Sequence, residues 1–213
     1  MPRERKGLTP RKSQKRDART FFVIATEGYA TEKKYFNGLE TKANPKVKIE
    51  VLEKESTASS PEDVLNALNA YAKEYVLIEE DELWVVIDRD SWSAKMIKNI
   101  AQACHQKPGY FFALSNPCFE FWLLLHVVEV ASWTDEVKKE FFENEKANKT
   151  RTRLEKELIN VLGSYNKRNP DLSHFLPHVQ KAIDQARDLD VNQDSRWIDG
   201  LGTRVYRLVE KLI

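Results

Sequence analysis

Apolar runs of strand length alternate with longer segments of helical period through the first 131 residues, a pattern that predicts an α/β domain. Residues 21–26 form a nearly unbroken apolar run, as a strand covered on both faces does. Residues 31–43 bring Tyr35, Phe36 and Leu39 onto one helical face, and Asn44-Pro45 is a stop signal. Residues 47–52 alternate with a period of two and predict a second strand. Ser60-Pro61-Glu62-Asp63 supplies a cap, a first-turn proline and two first-turn acids ahead of Val64, Leu65, Leu68, Tyr71, Ala72 and Tyr75, so a helix starts there. Residues 83–87 are the clearest buried strand and run straight into Asp88-Arg89-Asp90. A helix over 93–106 and a strand over 110–114 follow. Ser115-Asn116-Pro117 is expected to cap an apolar helix from Pro117 to about Ala131, with Asn116 as a capping residue. The remainder has helical period apart from a polar break over 163–171, and the last helix is expected from about Thr203.

Strands that alternate with helices pair in parallel, so the expected architecture is a mostly parallel sheet of about four strands with helices on both faces and a helical C-terminal half. The expected divisions are a basic flexible arm over 1–20, an α/β core over 21–131 and a helical extension over 132–213 packed on the core. In such sheets ligands bind at the carboxyl ends of the strands.

Composition narrows the class. Of 213 residues, 41% are hydrophobic and 31% charged, enough apolar area for a core and too much for a disordered chain. The longest strongly apolar run, 121–128, is far shorter than the ~20 residues of a spanning helix, and no membrane partner is expected. Two cysteines make no disulfide framework, and the N-terminus lacks the pattern of a secretory signal, so a cytoplasmic location is expected. The net charge of +1 is divided unevenly: residues 1–20 hold eight basic and two acidic residues, leaving −5 on the rest. Two readings of the arm stand open, phosphate contact through residues such as Arg11 and Lys12, or a solubilising tail.

Candidate chemistry lies at the strand ends. Glu27-Gly28 follows the first strand, and Asp88 and Asp90 end another with the spacing that points both side chains the same way if strand geometry persists. Carboxylates gathered at neighbouring strand ends repel one another unless a cation intervenes, and hard oxygen ligands suit Mg2+ or Mn2+. A D-x-D after a strand also serves aspartyl phosphatases and sugar-nucleotide transferases, but here an earlier strand carries its own acid and Ser91 is followed by bulky Trp92. Glu120 is a further metal ligand or a first-turn helix charge. His126 beside Trp122 is expected to be a hydrogen-bonded core residue. Tyr165-Asn166-Lys167-Arg168 is either a site for a phosphate backbone and a stacked base, with Tyr165, Lys167 and Arg168 as contacts, or an ordinary solvated loop. No G-x-x-x-x-G-K-[ST] phosphate loop and no G-x-S-x-G elbow occurs.

With these residues in view, the sequence resembles the RloB-like proteins of prokaryotic phage-defence and restriction-linked loci, which have a TOPRIM-like core. The resemblance is carried by Glu27-Gly28, Thr31-Glu32, Tyr35-Phe36, Asp88-x-Asp90 and the run from Ser115-Asn116-Pro117 through Cys118, Phe119, Glu120, Phe121 and Trp122 to His126. It extends more weakly to Gly202-Thr203, Val205 and Leu208-Val209, and leaves the arm outside. The resemblance implies a magnesium-dependent phosphodiester-cleaving enzyme acting on nucleic acid, RNA such as tRNA or DNA. Asp88 and Asp90 hold the metal, Glu27 serves as ligand or acid/base, and a partner ATPase restrains or triggers the chain. The rival expectation is a non-catalytic regulatory subunit of such an ATPase.

Overall fold

The computed structural model describes residues 5, 19–28, 30–53, 60–89 and 92–213. Among them the chain forms a five-stranded sheet and eight α-helices: β1 (Thr20–Thr26), α1 (Thr31–Leu39), β2 (Val47–Val51), α2 (Pro61–Glu74), β3 (Glu82–Asp88), α3 (Ala94–His105), β4 (Tyr110–Asn116), α4 (Phe119–Val127), α5 (Asp135–Glu143), α6 (Arg153–Leu162), α7 (Val179–Leu189), β5 (Gly202–Thr203) and α8 (Val205–Leu212). The strand order is β2-β1-β3-β4-β5; β1 to β4 run parallel, and β5 pairs antiparallel with β4.

The alternating side chains of the strands divide the core. Phe22, Ile24, Ile49, Trp84, Val86 and Ala113 face α1, α4, α6, α7 and α8. Phe21, Val23, Ala25, Leu83, Val85 and Ile87 face α2 and α3. The chain leaves β1 for β2 over one face and crosses back to β3 over the other, so the strand order reverses between β1 and β3. That is the crevice where open α/β sheets place their ligands.

Local sequence accounts for the elements. The Ser60 side chain accepts from the Asp63 N–H while the Asp63 carboxylate accepts from the Ser60 N–H, a reciprocal cap that starts α2. Helix α4 is buried along nearly its whole length, as its all-round apolar sequence requires. Arg204, 2% exposed, makes a two-point ion pair with Asp190 at 2.9 Å per contact, and Arg207 reaches the same carboxylate at 2.9 Å.

Three expectations are corrected. The sheet has five strands: β5 is only two residues long and carries no periodicity to read. Ser115 and Asn116 do not cap a helix: they end β4 by pairing with Thr203 and Gly202, α4 starts at Phe119 after Cys118, and the Asn116 amide donates to the Asp199 carbonyl at 2.8 Å. Helix α1 ends at Leu39 rather than Ala43, because three-residue turns from Gly38 and Leu39 tighten the chain there. Asp90, Arg11 and Lys12 lie outside the described residues.

Candidate functional site

The carboxyl ends of β1, β3 and β4 lie along one edge of the sheet, and each is followed by an acid or leads to one. Glu27 follows β1, and its carboxylate bridges toward β3 by accepting from the Asp88 N–H at 3.2 Å and from the Trp92 indole at 3.0 Å. The Glu27 N–H itself donates to the Val86 carbonyl at 3.1 Å. Glu27 is thus held at the β1/β3 switch point, with Asp88 closing the neighbouring strand.

Behind this pair lies a buried acidic group that sequence reasoning singled out only in part. Glu32, in the first turn of α1, is buried and accepts from the Gly28 N–H at 3.0 Å. Burial pushes its carboxyl up to about 7, and the nearby Glu120 charge adds to the rise. Gly28 has a reason to lack a side chain: a Cβ there would meet Glu32 Oε2 at 2.0 Å. The sequence signal for Glu32 was a first-turn acid after a Glu-Gly turn, which reads equally well as helix-end stabilisation.

Glu120, 2% exposed, sits in the first turn of α4 with its Oε1 2.9 Å from Lys167 Nζ and 3.4 Å from the Tyr165 hydroxyl, which donates to it. Burial alone would lower the Lys167 ammonium, but Glu120, with Cys118 and Asp88, raises it, so this lysine stays charged. The 165–169 loop that carries it is docked on α1: the Thr31 hydroxyl donates to the Lys167 carbonyl, and the Lys34 ammonium donates to the Asn169 amide oxygen. Tyr165 is 7% exposed, so its ring supports the site and presents no open face for a base. Arg168 is exposed beside it. Burial and the Glu120 charge push the Cys118 thiol up, which keeps it neutral and unsuited to nucleophilic attack.

The core histidine behaves as expected. His126 Nδ1 lies 2.9 Å from the Trp122 carbonyl and Nε2 2.9 Å from the Tyr35 hydroxyl. A carbonyl only accepts, so Nδ1 carries the proton and Nε2 accepts from Tyr35. Burial lowers the ring to about 3, and it is neutral.

The residues present supply hard carboxylate oxygens, the donor chemistry that Mg2+ or Mn2+ takes. The Glu120 charge raises the cost of ionising Glu32, and Lys167 is the positive charge set against it. Among the described residues no three of His, Cys, Asp or Glu stand together at metal-ligand spacing; Asp90 is not among them. No described helix is long and apolar enough to cross a membrane.

In comparison with known proteins, the family model for the RloB-like protein matches residues 22–212, nearly the whole chain. No curated protein and no solved structure matches it.

Proposed function

The chain belongs to the RloB-like family, and from that premise we propose that it is a metal-dependent nuclease with a TOPRIM-like centre, acting on RNA or DNA as an effector of phage defence. The observation that carries this reading is the convergence of Glu27 and Asp88 at the β1/β3 switch point, backed by buried Glu32 and Glu120, the latter paired with Lys167. Carboxylates gathered at neighbouring strand ends are the electrostatic setting that a divalent ion suits.

Asp88 and Glu27 are the residues to hold Mg2+ or Mn2+, with Asp90 as the D-x-D partner and Glu120 at the rear. When bound, such an ion polarises a phosphoryl oxygen and makes a water more acidic. The chain's own residues orient and compensate. The Trp92 indole and Asp88 N–H fix the Glu27 carboxylate, and Lys167 offers a positive charge that a phosphodiester anion can share with Glu120. Arg168, exposed on the same loop, would meet the nucleic-acid backbone beyond the scissile group.

The test is cleavage of labelled tRNA, single-stranded RNA and duplex DNA by the purified chain in magnesium or manganese, against chelator, beside Glu27→Gln and Asp88→Asn variants. Metal-dependent cleavage lost by orders of magnitude in both folded variants is the expected result. Absence of cleavage on every substrate, with no effect of either metal on the melting temperature, overturns it in favour of a non-catalytic subunit.

A further inference from the structure

The opposite flank of the sheet carries an unfilled strand position. The Leu83 N–H donates to the Gly109 carbonyl at 2.8 Å and the Arg89 N–H to the Ser115 carbonyl at 2.9 Å, so the odd-numbered residues of β4 direct their backbone groups toward β3. The even-numbered residues direct theirs outward. On that side β5 pairs only with Ser115 and Asn116, and the Arg204 N–H takes the Leu114 carbonyl at 2.9 Å. The chain then turns into α8 at Val205 and abandons the line of the strand. Among the described residues nothing pairs with the outward N–H and C=O of Phe112 or with the Tyr110 carbonyl.

This edge opens into a cleft of about 480 Å³. It is lined by Phe111 and Phe112 of β4, Ala101 and His105 of α3, and the 193–196 loop. The cleft is also positively biased. Asp190 is a single carboxylate shared between Arg204 and Arg207, and the Arg196 guanidinium donates to the neutral Gln102 amide. Three guanidiniums thus stand against Asp190 and Asp194.

We propose that the open edge of β4 is a docking groove for an extended acidic segment of a partner protein, which adds as an antiparallel strand in line with β5 and exchanges hydrogen bonds with Phe112. Main-chain pairing supplies the affinity in this mode, and side chains at alternate positions supply selection. The exposed Arg196, with the partly exposed Arg207, selects acids there. The arm of this chain is a poor occupant, since its charge matches that of the cleft. The proposal does not depend on the nuclease reading, because the groove lies away from the acidic centre.

The first test is amide hydrogen exchange on the full chain. The Phe112 N–H is expected to exchange at least tenfold faster than those of Phe111 and Ala113; equal protection of all three overturns the proposal. The second is selection from a displayed library of random eight-residue peptides. Recovered peptides are expected to carry Asp or Glu at alternate positions and to slow Phe112 exchange at least tenfold. They should lose at least tenfold in affinity when the residue opposite Phe112 is N-methylated, or when the exposed Arg196 is changed by Arg196→Glu. Failure to recover any peptide, or binding indifferent to both changes, overturns the proposal. So does a dimer in sedimentation that protects Phe112, which would give the edge to a second copy.

Discussion

Glu32 occupies the space in which a side chain at position 28 would stand, and the two residues are therefore coupled. Gly28→Ala must displace the Glu32 carboxylate and break its bond to the Gly28 N–H, an expected loss of about 1–3 kcal/mol. In a Glu32→Ala background the same substitution should cost well under half as much, and urea unfolding of the four proteins reads the difference as an interaction energy. Protonation adds a second expectation. The Glu32 carboxyl rises from an ordinary 4.5 to about 7 in the folded chain, so the folded state binds the extra proton between those values. Its contribution to stability is complete below about pH 4.5 and is lost as pH rises to 7, up to about 3 kcal/mol. His126 works the other way: its ring falls from 6.5 to about 3, so its contribution is complete above pH 6.5 and is lost as pH falls. Wild-type melting temperature should therefore change little from pH 5 to 6.5, whereas Glu32→Gln, which removes one of the opposing slopes, should melt at progressively higher temperature over that interval. Parallel profiles for the two proteins would mean that Glu32 is ionised throughout.

Helix α4 and the 165–169 loop meet through one ion pair whose partners are unequally sheltered. Glu120 is 2% exposed while the Lys167 side chain is 53% exposed. Lys167→Ala leaves a buried carboxylate with the Tyr165 hydroxyl and the Cys118 thiol, and should cost about 3 kcal/mol, the low end for a broken buried pair because water reaches the lysine side. Glu120→Gln keeps a hydrogen-bonding side chain and releases an ammonium that water can solvate, so about 1 kcal/mol is expected. Denaturant unfolding of the two variants in chelator checks the order; equal losses would place the Glu120 charge within reach of solvent. Such pairing is invisible in sequence. The first-turn position of Glu120 and the polarity of the loop were legible, but their contact is made by tertiary packing, and of the two readings open for the loop neither foresaw that Tyr165 is buried. The four parallel strands were legible because each is a continuous or alternating apolar run. Helix α1 was read four residues too long because turn bonds at Gly38 and Leu39, not a breaker residue, end it. The two residues of β5 have no period, and missing them turned Ser115 and Asn116 from strand residues into a helix cap.

At the scale of the whole molecule, the segment after α7 is fastened by Arg204, which pairs with Asp190 and also donates to the Asn192 carbonyl at 2.8 Å and to the Ser195 hydroxyl at 2.8 Å. Arg204→Ala removes the two-point pair, leaves Asp190 to Arg207 and Tyr206, and is expected to cost about 3–5 kcal/mol and to speed proteolysis within residues 191–196. Unchanged melting and an unchanged digestion pattern would mean that Arg207 alone holds the segment. The docking of the Lys167 carbonyl on the Thr31 hydroxyl has a consequence for how the protein is born. The first acids of the centre leave the ribosome early, while the lysine that faces Glu120 is made after more than three quarters of the chain. A messenger cut short between the codons for Glu120 and Lys167 therefore yields a product with Glu120 but without the lysine that pairs with it. The ion pair that joins α4 to the 165–169 loop therefore forms only after residue 167 has been made, long after the strands that carry Glu27 and Asp88.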